Sequence, residues 1–169
     1  MKQYIKLYDL LGFKVCWVLC AFCSVWGKPY LGPLVTLIFI IGHLLIVNFN
    51  FRDIKIIIAA IILGFIIDTL FLNFDFILYK NSIHYAPLWI VAMWAGFSIT
   101  LIYTLDSLQN KYFMAGLLGL VGGPLSYQAG ESIGSITINH DYSYIVLAIA
   151  WAIAIPILLS LIKYFSIHD

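Results

Sequence analysis

Residues 119–134 read GLVGGPLSYQAGESIG, and the placing of this stretch decides the fold. Its Gly-Gly-Pro step argues against a regular helix. Tyr127, Gln128 and Glu131 put polar groups into a chain that is otherwise oily. Either two helices pack closely here through small residues, or the stretch is the floor of a site.

The setting comes from composition. Of 169 residues, 63% are hydrophobic and 10% charged, and the mean hydropathy is +1.02. Soluble domains carry roughly 45–50% apolar and about 25% charged residues. So little polar surface cannot cover a water-facing globule, so the solvent is lipid. The charged residues, with a formal net charge of +1, lie nearly all between apolar runs. No basic patch exists to follow a nucleic-acid backbone, which excludes nucleic acid as a partner. Lys2 and Lys6 precede an apolar run as in a signal peptide, but Lys14 interrupts that run and no small-x-small cleavage site follows. The first segment is therefore read as a retained span.

A helical span needs about 20 mostly apolar residues. The candidates are 10–26, 30–48, 54–74, 86–105, 112–131 and 142–163. The breaks between them (GKPY, NFRD, DFILYKNSIHY, DSLQNK and ITINHD) are short and hold the charges and turn formers. The expected fold is all-α: a polytopic membrane protein of six transmembrane helices forming a single domain over 1–169. The fifth helix is expected to be interrupted at Gly122, Gly123 and Pro124. Spans two and five both contain Gly-Pro-Leu, but at different depths, so no inverted repeat is assigned.

With the N-terminus in the cytoplasm, Lys2, Lys6, Arg52, Lys55, Lys111 and Lys163 fall inside, against Lys28 and Lys80 outside. That asymmetry favours cytoplasmic N- and C-termini. Trp26, Tyr30, Tyr85 and Tyr142 mark the outer interface, and Tyr8, Phe51, Tyr112 and Tyr164 the inner one.

Polar residues within spans can be compared by depth, at 1.5 Å rise per residue. Asp68 lies roughly 21 Å from the cytoplasmic start of its span. Tyr127 and Gln128 reach nearly the same level, and Glu131 is one turn further out. A carboxylate in lipid is costly, so Asp68 should face protein or trapped water, with Tyr127 and Gln128 as hydrogen-bond partners. Trp94 is about 12 Å deep, where its ring N–H wants a partner, while Trp89 suits an interfacial belt. Asp68, Trp94, Tyr127, Gln128 and Glu131 would then line an outward-facing cavity beside a broken fifth helix. The competing expectation is packing: Ala115, Gly119 and Gly123, then Ser126, Gly130 and Gly134, recur every fourth residue, as does the stripe of Ala92, Gly96 and Thr100. Both can hold, since tight packing below can support a pocket above.

Lys14 and His43 share a level about 7–8 Å deep at the inner side. Lys14 suits snorkelling and His43 a structural hydrogen bond, and a wire from them to Asp68 would need bridging water. Cys16, Cys20 and Cys23 fall on one face of the first helix and read as packing. His84, His140 and His168 lie in loops or the tail, no metal site is expected, and no cofactor is implied. No motif of known enzymatic spacing occurs, and catalytic residues stay unassigned.

Trp17 in FKVCWVL, Asp68 in GFIIDTL, APLWIVAMWAGFSITL followed by Ser107 and Leu108, GLLGLVGGPLSYQAG, and Trp151 with Pro156 carry a resemblance. Together they resemble a family of small bacterial inner-membrane proteins catalogued only as a domain of unknown function. The resemblance covers nearly the whole chain. It implies a multi-pass protein of the bacterial inner (cytoplasmic) membrane and supplies no activity. The expected function is binding or transport of a small or lipid-like molecule through the outward cavity, with membrane lipids as surroundings. A structural subunit of a membrane complex or a homo-oligomer, and an intramembrane lipid-modifying enzyme, are the alternatives.

Overall fold

Asn50 opens the third helix by accepting a hydrogen bond from the Arg52 backbone N–H at 3.0 Å, an N-cap that satisfies one of the helix's free donors. In the computed structural model, residues 2–168 are described, with Lys2 and His168 through their backbone alone. The order is α1 (Lys2–Val25), α2 (Leu31–Ile46), α3 (Phe51–Asn73), β1 (Ile77–Tyr79), α4 (Leu88–Tyr103), a 3-10 turn (Asp106–Leu108), α5 (Tyr112–Ile133), β2 (Ile136–Ile138) and α6 (Ser143–His168). Pro87 precedes α4, and Gly134 ends α5 in the left-handed region at φ 85°, a conformation that glycine adopts without a Cβ penalty.

Three helices are long and apolar enough to cross a membrane: Gln3–Val25, Phe51–Asn73 and Ser143–Ile167. Helices α2 and α4 are apolar but have 16 residues each. The outer surface is oily, with Leu37, Ile41, Ile62, Ile66, Ile149 and Ile153 all exposed. A water-facing protein rarely shows so wide an apolar surface.

Helix α4 is central and buries residues on every side, from Trp89 to Ile102. An all-round apolar helix belongs in such a position. Helix α1 packs on α2 and α4, α3 on α4 and α6, and α5 chiefly on α6, with little contact between α1 and α5.

Two sequence expectations change here. Helix α5 runs through Gly122, Gly123 and Pro124 without interruption, with Pro124 inside it. Pro124 removes one backbone donor, a cost of about 3 kcal/mol in an isolated helix. Packing against α6 opposes that cost: a Cβ on Gly119 would collide with the Trp151 carbonyl, and one on Gly123 with the Trp151 ring. These glycines admit α6 rather than break α5. The segments DFILYKNSIHY and ITINHD, expected as plain connections, form an antiparallel ribbon pairing Ile77 with Ile138 and Tyr79 with Ile136. Three-residue strands are too short to display a period-two pattern.

Helix α1 also begins well before residue 10, because its charged first turns find partners: Lys6 pairs with Asp106 at 2.7 Å and Asp9 with His43 at 2.8 Å. Trp89 is buried, not interfacial, and its ring N–H donates to the Lys80 carbonyl at 3.3 Å. Cys16, Cys20 and Cys23 are buried, with Cys20 seated against Gly32 of α2.

Candidate functional site

Two buried carboxylate clusters stand at opposite ends of α3, about 22 Å apart at 1.5 Å per residue. The one that sequence depth points to is centred on Asp68, which is fully enclosed. Its Oδ1 accepts from the hydroxyls of Tyr127 and Tyr79, the latter at 2.6 Å, and its Oδ2 accepts from Trp94 Nε1 at 2.6 Å. An isolated buried carboxylate would be prohibitive. Hydrogen bonds to an ionised acceptor are about twice as strong as neutral ones, and these three offset that cost. Tyr79 reaches the site from β1. Burial first, and then the nearby Asp68, hold its phenol well above the usual tyrosine range, so it stays a donor.

The rings that serve Asp68 are held by glycine on one side and aromatic stacking on the other. Gly64, one turn before Asp68 on α3, lies where a Cβ would strike the Trp94 indole. Trp94 stacks on Trp151 with centroids 4.3 Å apart and planes at 11°. Trp151 in turn lies over Gly123. Its ring N–H is buried beside the Tyr127 phenol without reaching hydrogen-bond geometry.

Trp94, Tyr127 and Trp151 line a cavity of about 100 Å³ between α1, α4, α5, α6 and β2. Phe13, Trp17 and Ala21 form its α1 wall, Trp94 and Phe97 its floor, and Ser126 and Tyr127 its α5 wall. Asp68 does not line it. The carboxylate stands behind the wall and fixes the polar edges of Trp94 and Tyr127, two of the rings that line it.

Of the residues expected together, Asp68, Trp94 and Tyr127 meet. Gln128 does not join them: its side chain is exposed, turned one 100° step round α5 from Tyr127. Glu131 is also elsewhere. Its Oε1 accepts from the Ile138 backbone N–H at 2.8 Å and its Oε2 from the Tyr144 hydroxyl at 3.2 Å, tying the ribbon to α5 and α6.

The second cluster combines residues that sequence depth does not bring together. His43, fully buried on α2, has Nδ1 2.8 Å from Asp9 Oδ1 and Nε2 3.5 Å from Asp53 Oδ2. Asp53 also accepts from Tyr103 at 2.6 Å and from Arg52 Nε at 3.0 Å. Lys14, expected at the level of His43, is exposed. Among the described residues, no group of three or more His, Cys, Asp or Glu side chains is arranged to hold a metal ion.

The chain belongs to the family described as protein of unknown function (DUF2878), which it matches over residues 6–157. No curated protein and no solved structure matches it significantly.

Proposed function

We propose that this member of the family is a six-span protein of the bacterial inner membrane that binds the apolar part of a small or lipid-like molecule in the aromatic cavity. Several observations support the six spans. The β1–β2 ribbon joins the α3–α4 and α5–α6 connections, which a six-span path puts on one side. At the other end, Lys6 bonds Asp106, and Arg52 contacts Tyr103 and Ser166, as that path requires. The positive-inside asymmetry then makes the ribbon end the outer one and both termini cytoplasmic. The Lys2 part of that count concerns a side chain outside the described residues.

The observation that carries the binding reading is the cavity wall itself. Two of its rings, Trp94 and Tyr127, are fixed from behind by a carboxylate that does not line the cavity. A wall preorganised in this way lowers the ordering cost of binding. Volume decides the class of occupant. Pockets for whole drug-sized ligands span roughly 300–1,000 Å³, and a dry cavity of about 150 Å³ holds a benzene. A cavity of about 100 Å³ therefore takes the end of a chain or a small apolar group, the rest of the molecule lying among membrane lipids.

Ser126 lines this cavity and is exposed, so Ser126→Trp fills the space without touching Asp68. Mass spectrometry of protein extracted in mild detergent should find a defined chain-bearing molecule with wild type. The variant should lack it. The same lipids in the same amounts from both proteins would refute the proposal.

A further inference from the structure

At the Asp68 site every donor is neutral, whereas the second cluster divides by charge. Asp53 Oδ1 accepts from Arg52 Nε at 3.0 Å and lies 2.9 Å from Nη2, and Oδ2 accepts from Tyr103 at 2.6 Å. That carboxylate has its cation. His43 reaches Asp53 Oδ2 only at 3.5 Å and pairs more closely with Asp9, at 2.8 Å; both are fully enclosed, and Asp9 Oδ2 is buried without a partner among the described residues. Each element packed on His43 contributes identifiable groups. Helix α1 gives Asp9 and Tyr8, whose hydroxyl bonds the Phe39 carbonyl. Helix α3 gives Arg52 and Asp53, and α4 gives Tyr103, whose ring is 5.1 Å from the imidazole. Helix α6 adds Ser166, 3.4 Å from Arg52. Lys6 and Asp106 neutralise one another at the rim.

Asp9 is also placed to affect the cavity. Along α1, Asp9, Phe13, Trp17 and Ala21 recur at every fourth residue and so share one face. The first holds His43, and the other residues form the cavity wall. Helix α1 barely touches α5 across the cavity. Its contacts with α2 and α4, together with the Asp9–His43 link, keep the wall in place.

We infer that Asp9 and His43 form a proton-binding site whose occupancy sets how firmly α1 closes the cavity. The inference rests on that cavity being the binding site. With the proton bound, imidazolium and carboxylate neutralise each other. When the proton leaves the imidazole for the cytoplasmic side, Asp9 becomes a buried negative charge without a counterion. Such a charge is strongly disfavoured, so the end of α1 moves until the carboxylate meets water. Histidine is the side chain whose ordinary proton exchange lies between pH 5 and 8.

Two readings on nanodisc-embedded protein test this. Nitrogen-15 NMR of histidine-labelled protein, with His43 assigned from His43→Gln, follows the ring protons from pH 5 to 9. Quenching of tryptophan fluorescence by brominated-chain phosphatidylcholine, in a Trp26→Phe background, follows lipid access to the cavity, which the four remaining tryptophans, Trp17, Trp89, Trp94 and Trp151, all line. His43 should change from two ring protons to one in a single step. Quenching should rise at least about two-fold over the same step, and Asp9→Asn, which preserves shape, should abolish that rise. A His43 protonation state constant across the range overturns the inference, as does a quenching step that survives Asp9→Asn. Equal ligand retention by wild type and Ser126→Trp instead sinks the cavity reading, whatever His43 does.

Discussion

The two ends of α3 bury an aspartate each, and they do it by different chemistry. Asp68 is surrounded by Tyr79, Trp94 and Tyr127, which donate hydrogen bonds to its oxygens but carry no charge. Asp53 is paired with the Arg52 cation and linked through His43 to Asp9. The first arrangement spends its hydrogen bonds on orientation: each donor is the polar edge of a ring, and two of those rings, Trp94 and Tyr127, become part of a wall. The second joins α1, α2, α3 and α4 by charge, so it responds to any change in charge. A buried carboxylate therefore shapes a surface in one place and fastens helix ends in the other.

Removing one partner from each cluster tests this contrast most severely. Asp53→Ala strands Arg52 and His43, and breaking a buried pair in this way costs about 3–5 kcal/mol. Chemical unfolding in detergent should register that loss. Asp68→Asn keeps the size of the side chain and strands no charge. Its expected cost is smaller, about 1–3 kcal/mol for hydrogen bonds weakened at a buried acceptor, and ligand retention should fall with it. If Asp68→Asn proves the more damaging to stability, the contrast fails.

Adjacent glycines of α5 sharpen the comparison at smaller scale. Gly123→Ala drives a methyl into the Trp151 ring and should cost about 1–3 kcal/mol by overpacking. At Gly122 a Cβ meets nothing within 4 Å, so Gly122→Ala should gain up to about 1 kcal/mol of helix propensity. Thermal unfolding of the two variants side by side should give opposite signs. The smallest effect is expected at Gln128, exposed and away from Asp68. Gln128→Ala should stay within about 0.5 kcal/mol of wild type and leave ligand retention unchanged.

The meeting of Asp68, Trp94 and Tyr127 was legible in sequence because helical rise converts residue number into depth. The orientation round the helix axis was not, since depth carries no such information, and Gln128, at nearly Tyr127's level, turns outward. Tyr79 was hidden because it lies in a connection, where no helical ruler applies. Asp9 was hidden because it falls just before the apolar run that begins at residue 10, and only the partners of Lys6 and Asp9, namely Asp106 and His43, explain why helix extends through them. The glycines of GLVGGPLSYQAGESIG signalled close packing correctly. That same signal, joined to Pro124, suggested a break, because sequence does not reveal Trp151 filling the notch.

The cavity's occupancy is tested most directly by native mass spectrometry of wild type beside Ser126→Trp and Gln128→Trp. Both substitutions add the same bulk to α5, one into the cavity and the other onto the outer face. The bound molecule should disappear with Ser126→Trp and persist with Gln128→Trp. Loss from both variants, or from neither, would contradict the assignment of the aromatic cavity as the binding site.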